Sequence, residues 1–197
     1  WWRDSSLSGR EMMVWDHKTV SRGTKCFSPM NNGYAGGYPV GYLDWLISMG
    51  WWGDKRVHVP CGAVEDEDSI RIDVKSKGTT ATHLFDARDE NMWQVFGDER
   101  FNCILIDPPY SKELAKKLYD TEEYFSGINS FIKPALQYLE PGGLIITLSY
   151  EVPKRPEGCD LIASWGIYQA VSVSHMRCLN VWQKAGDPKP QGLDRWL

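Results

Sequence analysis

The chain has 197 residues, 42% of them hydrophobic and 24% charged, which fits one soluble domain able to bury a single sizeable core without disulfides. A net charge of −4 argues against a protein that grips nucleic acid through a basic stripe, and no run approaches the ~18 apolar residues of a membrane span. Five cysteines without a C-x-x-C pair and four histidines without ligand spacing predict reduced thiols, no bound metal, and a cytoplasmic protein with no membrane attachment. Residues 1–25 are polar, with Asp4-Ser5-Ser6 and Ser21-Arg22-Gly23, and read as an irregular arm before a single domain over 26–185 and a frayed tail over 186–197. A Gly/Asn/Pro loop at 27–39 leads into an amphipathic helix at 40–47 that ends near Gly50.

From residue 56 onward, strand and helix signals alternate. Strands are expected at 56–60, 69–74, 82–87, 101–106 and 144–149, with a short helix at 90–95 and longer ones at 112–119 and 128–139. Pro141-Gly142-Gly143 ends the last helix, and two final strands at 166–174 and 177–183 turn through Ser174-His175-Met176. This alternation predicts an α/β fold: a doubly wound, Rossmann-like, mostly parallel sheet of seven strands, helices on both faces, closed by a C-terminal antiparallel hairpin. Ligands of such sheets sit beyond the carboxyl ends of the strands, where strand order switches. Asp73, Asp86 and Asp107 end the second, third and fourth of these strands, so the topology gathers three carboxylates around one crevice.

Asp107-Pro108-Pro109-Tyr110 follows the apolar run Cys103-Ile104-Leu105-Ile106 directly. Two prolines lack backbone N–H groups and fix φ at roughly −65°, which stops the strand in a stiff loop with outward carbonyls. A carboxylate, free carbonyls and an aromatic ring side by side suit a planar substrate that carries an amino group. The tetrapeptide resembles the (Asp/Asn/Ser)-Pro-Pro-(Tyr/Phe/Trp) motif, the DPPY motif, of class I S-adenosylmethionine-dependent methyltransferases that modify adenine N6 or cytosine N4 in DNA. The resemblance spans residues 26–184 in element order and makes 26–185 a methyltransferase domain.

The resemblance implies S-adenosyl-L-methionine as cofactor and transfer of its methyl to the exocyclic amine of a nucleobase. Asp107 and the Pro108 carbonyl would accept hydrogen bonds from that amine, Pro109 would stiffen the loop, and Tyr110 would stack on a base turned out of the duplex. Cofactor contacts would come from the loop residues Tyr34, Gly37, Tyr38 and Pro39, from the first-strand turn Pro60-Cys61-Gly62, and from Asp107. Asp73 would hold the ribose hydroxyls, Asp86 the adenine amine, and the Ala87 N–H a ring nitrogen. The first turn keeps one glycine of the family's Gly-x-Gly pattern. Partners implied are a nucleic acid, DNA ahead of RNA, with a second copy or a separate subunit supplying the sequence specificity for which this short chain has little room. Two alternatives stay open: a methyltransferase for RNA, protein glutamine or a small molecule, and a non-catalytic methyltransferase-like binding subunit.

Overall fold

Short runs of Val, Ile and Leu, each closed by a turn or an acid, assemble into strands because their backbones pair and both of their faces meet apolar partners. The computed structural model, which describes residues 20–28, 38–109, 115–116, 127–169 and 172–186, has eight strands among them. They are β1 (Ser21–Phe27), β2 (Arg56–Val59), β3 (Ile70–Asp73), β4 (His83–Leu84), β5 (Phe101–Ile106), β6 (Leu139–Ser149), β7 (Cys159–Gln169) and β8 (Ser172–Lys184). One sheet holds them in the order β1-β7-β8-β6-β5-β2-β3-β4. Every neighbouring pair is parallel except those of β8, which runs antiparallel to both β6 and β7.

The strand read as the first from sequence is therefore β2, and the sheet has eight strands instead of seven. The added strand, β1, begins at Ser21, inside the segment read as an irregular arm. Its sequence, Ser-Arg-Gly-Thr-Lys-Cys-Phe, carries no apolar alternation because five of its seven residues face solvent at the sheet edge. Backbone pairing with β7 holds it, from Ser21 opposite Ala163 to Phe27 opposite Gln169. The closing hairpin also differs from expectation. Gln169 pairs with Ser172, so the turn precedes Ser174-His175-Met176, and those three residues belong to β8. Pro141-Gly142-Gly143 lies within β6, where the pairing with β5 is irregular. The helix expected at 112–119 falls almost wholly outside the described residues.

Alternation along β5 shows how the core is divided. Ile104 and Ile106 point to one face, where Val57, Val59 and Ile145 join them. That face is covered by Phe131, Ile132 and Ala135 of helix α2 (Asn129–Gln137) and by Trp93 and Phe96 of a short 3-10 helix (Met92–Phe96). Cys103 and Leu105 point to the other face, where Ile146, Leu148 and Val181 meet Tyr42 and Leu46 of helix α1 (Tyr42–Ser48). A strand buried on both sides needs apolar residues at every position, which is why Cys-Ile-Leu-Ile is unbroken. Gly41 opens α1 with φ 78°, a left-handed conformation that glycine adopts without steric cost. Among the described residues, no helix is long and apolar enough to cross a membrane.

Candidate functional site at the carboxyl edge

Strand order reverses between β5 and β2: the chain moves outward from β2 through β3 to β4 on one side and from β5 to β6 on the other. Beyond the carboxyl ends of these strands a cleft opens to solvent. Its walls are Val59 at the end of β2 and Pro60 after it, Ile72 and Asp73 of β3 with Val74 and Lys75 just beyond, Phe85 and Ala87 after β4, Pro109 after β5, and Phe131 of α2.

Asp73 is held at this cleft by backbone donors. The Gly62 N–H donates to its Oδ2 at 3.0 Å and the Lys75 N–H to its Oδ1 at 3.3 Å. Gly62 aims that donor from a positive φ of 52°, which fits the tight turn after β2. Burial raises the Asp73 carboxyl above its ordinary value, and the backbone donors offset part of the rise. The Cys61 thiol also reaches Oδ2 at 4.0 Å, and a carboxylate has about four acceptor directions in all. Cys61 is fully buried beside it but does not line the cleft, and burial followed by the Asp73 charge pushes its thiol up to about 12, so it stays protonated and without nucleophilic character.

Asp86 lies two residues beyond β4 and is not among the residues that wall the cleft. Its carboxylate is clamped by the Arg88 guanidinium, with Nε donating at 2.8 Å to Oδ1 and 3.1 Å to Oδ2, and this pairing holds its carboxyl low despite partial burial. Ala87 lines the cleft itself, while its carbonyl accepts from the Trp93 indole N–H at 2.9 Å.

Asp107 stands where β5 ends, its N–H donating to the Val59 carbonyl at 3.0 Å and so tying the Pro-Pro loop to the β2 turn. Pro108 is buried and Pro109 reaches the cleft. Across the edge, Arg177 of β8 brings Nη1 to 3.6 Å from Asp107 Oδ2. Antiparallel β8 can do this because Cys178 pairs with Ser149, the last residue of β6, which sets the first part of β8 at the carboxyl ends of the parallel strands. Pro39 is buried and its carbonyl accepts the Tyr42 N–H at the start of α1. Tyr38 stacks on Tyr42, ring centroids 4.9 Å apart, and its hydroxyl meets His58 Nδ1 at 3.2 Å. His58 Nε2 in turn meets Asp66 Oδ2 at 2.9 Å, and Asp66 also takes the Arg56 Nε at 2.6 Å. Burial pushes both tyrosine hydroxyls well above their ordinary value, and the Asp107 charge adds to it. Tyr34, Gly37 and Tyr110 lie outside the described residues.

The structure thus brings Pro60, Gly62, Asp73, Ala87 and Pro109 around one cleft, and sets Tyr38 and Asp107 within electrostatic reach of each other. Sequence reading missed Phe85, Phe131, Lys75, the His58–Asp66 pair and Arg177. Phe85 and Lys75 sit within two residues of the acids already singled out, a signal that was present. Arg177 had none, because only strand order brings it to Asp107.

No family model matches the chain, and no curated protein matches it. Among solved structures it is similar in fold to TrmN from Thermus thermophilus, with 18% identity over 72% of this chain and 47% of that one and a TM-score of 0.44. It is also similar to an rRNA methylase from Streptococcus thermophilus, with 13% identity over 73% of this chain and 93% of that one and a TM-score of 0.40. The chain spans about half the length of TrmN.

Proposed function

We propose that the chain is an S-adenosylmethionine-dependent methyltransferase acting on the exocyclic amine of a nucleobase, adenine N6 or cytosine N4, with DNA as the first carrier to test. One observation carries the reading: Pro109 of the Asp-Pro-Pro loop and Asp73 line the same cleft at the point where strand order reverses.

The residues fit the cofactor. Phe85, Ala87, Pro109 and Phe131 supply apolar walls for a flat ring, and Asp73 supplies acceptors for a pair of hydroxyls. S-adenosylmethionine, when bound, supplies a methyl group on a sulfonium. Asp86 does not fit the amine-reading role as it stands, since Arg88 occupies both of its oxygens; Ala87 and the aromatic walls then carry ring recognition.

An exocyclic aromatic amine is a weak nucleophile because its lone pair is delocalised into the ring. Asp107, an acceptor at the rigid end of β5, draws on an amine N–H and favours the pyramidal nitrogen that attack needs, and the Pro108 carbonyl offers a second acceptor. The Pro-Pro backbone fixes both acceptors before substrate arrives, so no reorganisation is required at the moment of reaction. Cys61 and Cys103 take no part: burial first of all pushes each thiol up to about 12.

Calorimetry with S-adenosylhomocysteine, followed by mass analysis of nucleosides from DNA and RNA incubated with the protein and cofactor, tests the reading. Binding with methylated adenine or cytosine in DNA supports it. Methyl transfer to RNA, protein or metabolites alone rejects the DNA assignment, and absence of binding rejects the enzyme. Asp107→Ala is expected to reduce transfer at least about a hundredfold, the order seen on removing one preorganised site group, while S-adenosylhomocysteine still binds.

A further inference from the structure

Asp86 stands in the chain between Phe85 and Ala87, two residues that wall the cleft, and does not wall it itself. Its carboxylate is turned to Arg88. The Arg88 backbone N–H donates to Oδ1 at 3.0 Å, Nε donates to Oδ1 at 2.8 Å and to Oδ2 at 3.1 Å, and Nη2 donates to Oδ2. Those bonds take up the roughly four acceptor directions that a carboxylate has. The next acceptor along the chain is engaged as well, since the Ala87 carbonyl takes the Trp93 indole N–H at 2.9 Å. Trp93 is fully buried, and breaking that bond would strand its N–H away from water. What this side of the cleft presents is apolar: Val74, Phe85, Ala87, Pro109 and Phe131.

An amine on a ligand ring would have to displace a guanidinium to reach Asp86. The exchange is unfavourable on two counts. A guanidinium brings a full charge and a fork of donors to the carboxylate, whereas an aromatic amine is neutral and brings one N–H at a time. Arg88 also lies only two residues from Asp86, so closing the clamp orders a very short loop. A flat ring between apolar walls gains from the area it removes from water, and the loss of one amine alters that area little.

We infer that the cleft holds the cofactor's ring by its faces without reading the cofactor's own exocyclic amine, and that Arg88 is the positioning residue that draws Asp86 away from it. This rests on the S-adenosylmethionine reading above. The ligand class then widens to sulfonium nucleosides whose purine lacks that amine.

The test is calorimetry with S-adenosylhomocysteine and with its analogue in which purine replaces adenine, so that hydrogen stands for the amine and every ring nitrogen is kept. Wild-type protein should bind the two within about threefold of each other, short of the roughly tenfold to hundredfold that loss of a hydrogen bond to a charged group brings. Asp86→Asn should leave that ratio unchanged. Arg88→Met removes the guanidinium and leaves the carboxylate, and should raise the preference for the amine-bearing ligand to about tenfold; adding Asp86→Asn should return it to the wild-type value. A merely structural role for Arg88 would weaken both ligands by one factor and leave the ratio where it was. That result would overturn the inference, as would a larger wild-type preference or a ratio that shifts with Asp86→Asn alone. Should Arg88→Met fail to fold, as judged by circular dichroism, the wild-type ratio and Asp86→Asn decide. If wild-type protein binds neither ligand, the cofactor reading itself falls and takes this inference with it. Binding of S-adenosylhomocysteine alone removes the inference and leaves that reading standing.

Discussion

Buried between Tyr38 and Asp66, His58 links three separate stretches of chain through one imidazole. Burial lowers its pKa below 6.5, and the Asp66 carboxylate opposes that shift without overcoming it, so the ring is neutral at neutral pH. With a folded pKa below the unfolded one, His58 binds fewer protons in the folded state. Stability is then full above 6.5 and declines as pH falls toward the folded pKa. Thermal melts should show Tm falling as pH is lowered from 6.5, and His58→Gln should flatten that slope; an unchanged slope would assign the titration to another group. Asp66 acts further down the scale: burial alone would raise it, but His58 and Arg56 hold it low, so its stabilisation is lost only in stronger acid. At this scale the sequence was readable wherever a residue owes its place to its own strand. Asp73 and Asp107 end strands, and the edge rule found them both. Asp86, expected to end a strand, lies two residues beyond β4, and nothing in the spacing says that Arg88 folds back onto it.

Among the elements, β1 and α1 show two ways in which sequence patterns fail or succeed. Helix α1 announces itself, since Tyr42 and Leu46 recur at the helical spacing of four and both are buried. Strand β1 does not, because an edge strand with mostly exposed residues is specified by its neighbour's backbone and not by its own side chains. Gly23 is the exception within it. A Cβ there would meet the Trp165 ring at 2.6 Å, and Trp165 also donates from its indole N–H to the Ser21 hydroxyl at 3.1 Å. Gly23→Val should therefore release β1 from β7. Hydrogen exchange is expected to speed up over residues 21–27, with protection in β5 retained; unchanged exchange in β1 would mean that Trp165 can move aside. The hairpin turn was misread for the same reason as β1. Main-chain pairing continues past the apolar residues that a pattern search follows, so Ser174-His175-Met176 looks like punctuation and is strand.

Across the whole molecule, two hydrophobic clusters lie back to back on a shared sheet, one under α2 and the 3-10 helix and one under α1. Neighbouring residues of β5 serve opposite clusters, Ile104 one and Leu105 the other, so neither cluster can loosen without disturbing the strand that supports both. Unfolding should consequently be a single transition, with far-ultraviolet circular dichroism and tryptophan fluorescence giving coincident midpoints. Ile104→Ala and Leu105→Ala should each lower stability by about 2–5 kcal/mol without splitting that transition, and separate midpoints would show that the faces come apart independently. The place of β8 has a consequence for synthesis. Among the described strands, β8 joins β6 to the pair β7 and β1, and it also carries Arg177. β1, which leaves the ribosome long before β7, has no partner until that strand emerges, and β7 gains its bond to the rest of the sheet only through β8. Half the sheet can form early, but a nascent chain halted before residue 177 carries Asp107 without Arg177, the β8 residue that meets it. On this topology the carboxyl edge is completed only when β8 joins β6.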